Sequence, residues 1–401
     1  MSSRPPDMLH PDTAREFVLA AVQRLPTEVV GLADLVGRVV AHEVVANDNH
    51  PPFPASTMDG YAISSEDVSP WREVTGVQIA GPDLHLEVFA GQTVKIMTGA
   101  PVPPGADAVV PIEDVELADD HIVMPDRVIA AGACIRPIGS DLRAGDVVIP
   151  AGTILGPVDI GLIATMGYSE LSVSKRPRVA VISTGDELIE PGAELGPGMI
   201  RDSNRFALAA ALTQIGAEVV HSSRVGDDVA VLAGRIASVR NEIDILVTSG
   251  GVSVGDKDVV RMMLGETADV KFRRLFMKPG KPLTFATDGP LMIFGLPGNP
   301  VASMVSLELF VRPAIKAMTG MPDTEPDLVP VTLATTVKRS DRLEFQRAEI
   351  TVDRDGHLLA STTGSQISSR LASMRTANGL IVIDAGEDTV PAGTVVQCIL
   401  I

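Results

Sequence analysis

Basic residues are in short supply. The 401-residue chain has 33 Lys and Arg against 51 Asp and Glu, a formal net charge of −18. That sign argues against general binding to nucleic acid or to an anionic membrane, since both need a broadly positive surface. Aromatic residues are only 3% of the chain, with one Trp and two Tyr, so its cores must be aliphatic and stacking platforms for unpaired bases are scarce. The two cysteines, Cys134 and Cys398, cannot build a disulfide framework, and no CxxC occurs. The seven histidines are scattered from His10 to His357 without HExxH or a Cys/His cluster, which speaks against a zinc site. Long apolar runs are missing too. The least charged stretch, 147–168, carries Asp159 as its only charge but is interrupted by four glycines and two prolines. It reads as strand, turn and short helix, not as a membrane span. No apolar segment follows the start Met1-Ser-Ser-Arg-Pro-Pro-Asp7, and a cytoplasmic location is expected.

With 45% hydrophobic residues the chain can build real cores, and its length suggests about two to four domains. Apolar residues recur at helical spacing over 13–25, before the stop at Pro26. From 28 to 149 short β-branched runs (77–79, 94–96, 108–112, 122–124) alternate with Gly, Pro and Asp, with one short helix expected near 32–36. From 178 to 319 the pattern becomes strand and helix in turn. Strands are expected at 179–182, 218–221, 243–247 and 291–294, and helices at 204–215, 229–239, 259–264 and 301–318. This alternation predicts a doubly wound α/β domain whose ligands bind at the carboxyl ends of the strands. After the acidic, Pro-containing stretch 322–326 the strands return and run to Ile401.

Three expected strand ends open into polar, glycine-containing loops: Ile182-Ser-Thr-Gly-Asp-Glu-Leu188, Val247-Thr-Ser-Gly-Gly-Val-Ser-Val-Gly-Asp-Lys-Asp258 and Phe294-Gly-Leu-Pro-Gly-Asn-Pro-Val301. Glycine lets backbone N–H groups turn toward one point, and a following helix N-terminus adds partial positive charge, so such loops can cradle an anion. One alone would read as a turn, but three in one domain favour a ligand site. The segment Lys271-Phe-Arg-Arg-Leu-Phe-Met-Lys-Pro-Gly-Lys281 reverses the local charge, with five cations and no acid. Lys271, Arg273 and Arg274 fit a solvated face equally well. Lys278 and Lys281 sit among Pro279, Gly280 and Pro282, so they are stiffly held point charges suited to an oxyanion. Acids flank the loops: Asp186, Glu187, Asp227, Asp228, Asp256 and Asp258. Singly each reads as a cap or a solvated loop residue, but together with substrate phosphates they could hold Mg²⁺. Gly251-Val-Ser-Val-Gly255 matches the nucleophile elbow of serine hydrolases, yet the only later histidine is His357, in a hairpin-like turn. Neither a P-loop nor a dinucleotide fingerprint is present. Pattern and spacing alone lead to an α/β enzyme for an anionic ligand, with Mg²⁺ as expected cofactor.

The chain also carries nine short blocks in one order: Pro52-Phe-Pro-Ala-Ser-Thr-Met-Asp-Gly-Tyr-Ala62, Ile96-Met-Thr-Gly-Ala-Pro101, Gly105-Ala-Asp-Ala-Val109, Arg136-Pro-Ile-Gly-Ser-Asp141, Ser183-Thr-Gly-Asp-Glu-Leu188, Ser249-Gly-Gly-Val-Ser-Val-Gly255, Lys278-Pro-Gly-Lys-Pro282, Gly295-Leu-Pro-Gly-Asn-Pro300 and Ser368-Ser-Arg-Leu-Ala-Ser-Met-Arg375. In these it resembles the molybdopterin molybdenumtransferases, the family that includes the E domain of gephyrin. The resemblance implies a multi-domain α/β-plus-β homodimer with four domains per subunit. These would be a discontinuous elongated domain (1–26 and 142–177), a β-rich domain (27–141), an adenylyltransferase-like, molybdopterin-binding α/β domain (178–322) and a C-terminal β-barrel (323–401). It implies Mg²⁺-assisted insertion of molybdate into adenylylated molybdopterin, with cleavage of the pyrophosphate link and release of AMP. A molybdopterin adenylyltransferase is a possible delivering partner.

Carried over by motif, the catalytic set is Asp59, Thr98, Asp141, Glu187, Lys278 and Lys281. Substrate contacts fall to Ser183, Thr184, Gly185, Asp186, Ser249, Gly250, Gly251, Ser253, Pro297, Gly298, Asn299, Pro300, Arg347, Ser368 and Ser369. Lys278, Lys281 and Arg347 would hold molybdate, with Ser368 and Ser369 donating hydrogen bonds. Asp228, Asp256 and Asp258 would serve the metal. Asp59 and Thr98 would otherwise read as ordinary turn residues. One departure stands out: the family's Asn-Pro-Val-Ser is Asn299-Pro-Val-Ala302-Ser303 here, which moves the hydroxyl about 100° around a helix. An adenylyltransferase and a non-catalytic scaffold of the gephyrin type remain the alternatives. ATP use with pyrophosphate release would mark the first, and peptide binding without turnover the second.

Overall fold

The computed structural model describes residues 8–250 and 268–401. They fall into two compact units, the first drawn from Met1–Val29, Gly37–Ala41 and Ser172–Ile401, the second from Val30–Val36 and His42–Leu171. The N-terminal helix Pro11–Ala20 belongs to the first, where Ala14 and Val18 enter its core. By compactness, most of 142–177 goes with the second unit instead of with that helix.

The first unit is built on a six-stranded sheet in the order Glu218–Val225, Arg178–Thr184, Ile245–Ser249, Leu291–Leu296, Pro282–Asp288, Asp269–Arg274. The first four strands are parallel, and the last two run antiparallel to their neighbours. Every residue of Ile245–Ser249 and Leu291–Leu296 is buried. Such continuous apolar runs belong to strands covered on both faces. Helix Asn204–Gln214 covers one face with Leu208 and Leu212, and helix Val229–Val239 covers the other with Leu232, Ile236 and Val239. The fold is therefore doubly wound, as the alternation predicts. The helix expected over 259–264 lies outside the described residues. Segment 271–281 is more than a basic stretch, because Asp269–Arg274 is a strand that buries Phe272 against Phe285.

The helix expected over 301–318 runs as Pro300–Ser306, a π-helical turn Leu307–Val311, and Arg312–Thr319, ending at Gly320 with φ +88°. Pro313 has no N–H and its ring crowds the preceding turn, so a widened turn just before it accommodates the ring without breaking the helix. The short helix expected near 32–36 is a single 3₁₀ turn, Leu32–Asp34.

Five C-terminal strands close a β-barrel. Leu343–Val352 pairs with both Leu358–Thr362 and Gly379–Ile383, and Leu328–Leu333 and Val395–Leu400 complete the ring. Its filling is aliphatic: Val331, Leu333, Ile350, Ile381 and Ile383, with buried Cys398. The two-residue strand Met277–Lys278 adds in parallel beside Leu343 and Glu344, so the α/β domain delivers Lys278 to the barrel wall.

The second unit carries another six-stranded sheet, ordered Ala108–Pro111, Gly60–Ile63, Gln92–Ile96, Trp71–Gln78, His121–Val123, Glu116–Ala118. Gly60 is required where it stands, because a Cβ there would lie 2.1 Å from the Val110 carbonyl oxygen. Among the described residues no helix is long and apolar enough to cross a membrane.

Arg72 is buried in this unit beside Asp67, at 3.6 Å. Burial alone would raise the Asp67 carboxyl, but hydrogen bonds from Gly91 and Ser69 and the Arg72 charge outweigh it and bring it down to about 2. The ionised carboxylate therefore stabilises the fold above the ordinary range near pH 4, and that contribution is lost as pH falls toward 2. Trp71 is the only tryptophan and reports on this unit. Acid titration of its fluorescence should show the second unit losing stability between about pH 4 and pH 2, whereas Asp67→Asn should be less stable at pH 7 and flatter over that interval.

Candidate active site

Register sets the site. Ser183 pairs with Ser249, and Ser249 with Leu296, so three parallel strands end at one level. Beyond them lie Gly185, Gly250 and Pro297-Gly298, which border a cavity of about 570 Å³. Gly250 has φ +91°, and a Cβ there would come within 2.8 Å of both the Thr184 carbonyl oxygen and its Oγ1. A Cβ on Gly298 would meet the Gly250 Cα at 3.8 Å. The two loops thus face each other as bare backbone, the arrangement that lets main-chain N–H groups approach a phosphate closely.

Polar side chains hold the loops in place. The Asn204 Nδ2 donates to Ser249 Oγ at 2.7 Å and to the Gly298 carbonyl at 2.6 Å, tying the second and third loops to the start of helix Asn204–Gln214. The Ser183 hydroxyl donates to buried Asp202, which also accepts from Arg205 Nε at 2.9 Å, and Arg205 reaches Glu190 at 2.6 Å. A buried carboxylate satisfied on both sides in this way is a rigid support. Asn204, Asp202 and Arg205 were not singled out from the sequence. The only signal was Asp202-Ser-Asn204 ahead of an apolar run, which reads as an ordinary helix start.

Of the residues expected at the site, Ser183, Thr184, Gly185, Glu187, Ser249, Gly250, Pro297, Gly298, Asn299, Pro300 and Ser369 line this one cavity, together with Asp227. Gly251, Ser253, Asp256 and Asp258 lie outside the described residues. Asp186 makes a reciprocal tie with Asp227: its Oδ1 accepts from the Asp227 N–H at 3.1 Å, and Asp227 Oδ2 accepts from the Asp186 N–H at 3.4 Å. Asp228, expected at a metal, caps helix Val229–Val239, accepting from the N–H groups of Ala230 at 2.8 Å and Val231 at 3.1 Å. The Ser368 carbonyl accepts from Val301 N–H at 3.0 Å, which docks its loop on the third strand-end loop. Ser303 does not stand in for a hydroxyl at position 302. It is buried and donates to the Pro297 carbonyl.

The basic residues are placed differently from expectation. Lys278 lines a second cavity, of about 630 Å³, at the barrel wall, and its Nζ lies 3.1 Å from buried Glu344. Lys281 is half-buried and has no ion pair among the described residues. Arg347 is wholly buried, and its guanidinium donates to the carbonyls of Ser365 at 2.9 Å, Gln366 at 3.3 Å and Ile367 at 3.3 Å and to Ser373 Oγ at 3.0 Å. Four of its donor contacts go to the chain that carries Ser368 and Ser369.

Asp59, Thr98 and Asp141 belong to the second unit. Asp59 accepts from the Thr98 N–H at 2.7 Å and Oγ1 at 2.8 Å, and these bonds keep its carboxyl below the usual range. Asp141 is exposed, and its N–H donates to the His50 carbonyl at 3.0 Å. The structure brings the first two together.

A doubly wound α/β domain with glycine-walled strand ends, joined to a closed barrel, defines a multi-domain α/β protein whose site suits an anionic ligand. Residues 9–167 match the MoeA N-terminal region (domain I and II), 180–317 the probable molybdopterin binding domain and 330–401 the MoeA C-terminal region (domain IV). A molybdopterin molybdenumtransferase of Haemophilus influenzae is 33% identical over 397 residues, covering 97% of this chain and 98% of the relative. Molybdopterin molybdenumtransferase 2 of Mycobacterium tuberculosis is 37% identical over 383 residues, 92% and 93% of the two chains. The crystal structure of the molybdopterin biosynthesis protein MoeA from Pyrococcus horikoshii has a TM-score of 0.82 at 28% identity, covering 98% of this chain and all of that one. The chain belongs to the molybdopterin molybdenumtransferase family, transferases of molybdenum cofactor biosynthesis.

Arg347→Ala removes the four-way anchor of the 365–373 segment and a wholly buried side chain, so it should lower unfolding stability by about 2–4 kcal/mol. Limited proteolysis should then cut near 364–370. Arg347→Lys should not restore protection, because the planar fork cannot be reproduced by one ammonium. Wild-type stability and proteolysis in Arg347→Ala would contradict the anchoring role.

Proposed function

We propose that this chain inserts molybdate into adenylylated molybdopterin and releases AMP. The observation that carries the reading is the course of two segments. Lys278 and Pro282 border the barrel cavity and the glycine-walled cavity respectively, and so do Gln366 and Ser369. Two short stretches thus run from a place suited to a compact dianion to one suited to a pyrophosphate-linked nucleotide.

In this reading the backbone at Gly185, Gly250 and Gly298 receives the pyrophosphate, and Asn204 fixes the width of the cleft. Ser369 contributes a hydroxyl. Lys278 and Lys281 supply the positive charge for molybdate, and Arg347 works from below by holding the loop of Ser368 and Ser369. One water cleaves the pyrophosphate link and AMP leaves, while the two dithiolene sulfurs replace one oxygen of molybdate, which departs as water with the two thiol protons, so the oxidation state of molybdenum is unchanged. Mg²⁺ suits the donors present. Glu187 and Asp227 are exposed carboxylates on the cavity lining, and hard oxygen ligands completed by substrate phosphate are what this ion takes. When bound, it would offset phosphate charge. Asp228 would join this set through Oδ2, since its helix cap engages Oδ1.

We further assign Asp59, Thr98 and Asp141 to the same reaction on family resemblance, the working form to a cytoplasmic homodimer and the supply of substrate to a molybdopterin adenylyltransferase. The four-domain division at 26, 141, 177 and 322 is kept as the finer partition.

Lys281→Ala should raise the molybdate concentration for half-maximal AMP release at least about tenfold, with a change under about threefold for the nucleotide substrate. Glu187→Gln should lower the AMP release rate at saturating molybdate and shift its Mg²⁺ requirement upward. Both are read by chromatographic quantification of AMP. Unchanged molybdate saturation in Lys281→Ala would remove that residue from the oxyanion site.

A further inference from the structure

The barrel cavity contains a charge pair that the reaction as outlined does not use. Strand Met277–Lys278 runs parallel to Leu343–Val352 with Lys278 in register with Glu344, so backbone pairing fixes the two side chains side by side. Glu344 is 3% exposed, and its carboxylate oxygen lies 3.1 Å from Lys278 Nζ. Among the described residues Glu344 has no other ion-pair partner. Lys278 retains 41% exposure of its side chain and borders the open cavity. A buried carboxylate needs a counter-charge, whereas the partly solvated ammonium does not. The pair is therefore asymmetric: the glutamate depends on the lysine.

An acid next to a lysine meant for an oxyanion competes with that oxyanion for the same ammonium. Buried Arg347 also feels the Glu344 charge but makes no ion pair with it, and two further cations do not relieve the competition. Arg339 is engaged with Asp388 at 3.0 Å and the Asp384 carbonyl at 3.1 Å, and Lys338, which shares the cavity lining, makes no ion pair with Glu344. The competition itself has a consequence. An anion reaching Lys278 must offer it more than Glu344 does. A tetrahedral oxyanion must therefore displace the carboxylate from the ammonium, and the repulsion it meets from Glu344 grows with its own charge.

We propose that Glu344 is the resident counter-ion of Lys278 and sets the affinity of the oxyanion site, which an entering anion occupies only by displacing it. It is a positioning residue acting through Lys278, and the proposal rests on the reading that Lys278 contacts the oxyanion.

The test uses the full-length protein and two tetrahedral probes of different charge, molybdate and perrhenate, in equilibrium binding measurements. Glu344→Gln keeps size and a hydrogen-bond acceptor for Lys278 while removing the charge, and Lys278 can stay solvated, so folding should be preserved. Perrhenate binding, weak in the wild type, should tighten about tenfold in Glu344→Gln, and molybdate should tighten at least as much. Glu344→Asp retains the charge and should return perrhenate affinity to near the wild-type value. Affinities of Glu344→Gln within twofold of wild type, or weakened for both anions, would overturn the proposal. Lys278→Ala separates it from the reading beneath: if that variant binds molybdate as the wild type does, the placement of the oxyanion at Lys278 is what has failed.

Discussion

The register of three parallel strands governs this molecule. Ser183, Ser249 and Leu296 stand side by side, so the chain leaves the sheet three times at the same height and within one cavity's width. A one-residue slip would send each buried side chain to the opposite face, and the close packing of those faces under different helices resists it. Everything polar at the site is hung from that edge. Gly250 takes a backbone conformation, φ +91°, that a Cβ would crowd against Thr184, and Asn204 spans the second and third loops because its helix begins at the same level.

The barrel contributes by anchoring as much as by contact. Arg347, buried in a barrel strand, fixes the 365–367 backbone, while the carbonyl of Ser368 meets the start of helix Pro300–Ser306. In the other direction, Met277–Lys278 joins the barrel strand Leu343–Val352. The α/β domain and the barrel therefore exchange one segment each, and the glycine-walled cavity and the lysine-bearing cavity are coupled through backbone.

Much of this was legible in the sequence. The alternation of apolar strands and helices after Arg178 specified the doubly wound sheet, and the three glycine loops pointed to the cavity they do line. Blocks such as Gly295-Leu-Pro-Gly-Asn-Pro300 and Lys278-Pro-Gly-Lys-Pro282 carried the family. What was not legible depended on who stands next to whom. Asp228 has the same composition-level signal whether it binds metal or caps a helix, and only the positions of the Ala230 and Val231 N–H groups reveal the cap. Arg347 alternates with apolar neighbours as a surface arginine would, but the 365–373 segment folds over it and buries it. Strand Asp269–Arg274 was hidden because its charged residues mask a single buried Phe272. Glu344 drew no notice, since its significance comes from a pairing with a residue 66 positions away.

The central claim is that one dianion-accepting wall and one pyrophosphate-accepting wall serve a single reaction. It is tested most directly by incubating the purified chain with adenylylated molybdopterin and Mg²⁺, with and without molybdate, and following AMP and protein-bound molybdenum together. The account predicts AMP release that rises with molybdate, needs no ATP, and matches the molybdenum incorporated mole for mole. AMP formation indifferent to molybdate, or consumption of ATP with pyrophosphate release, would contradict it.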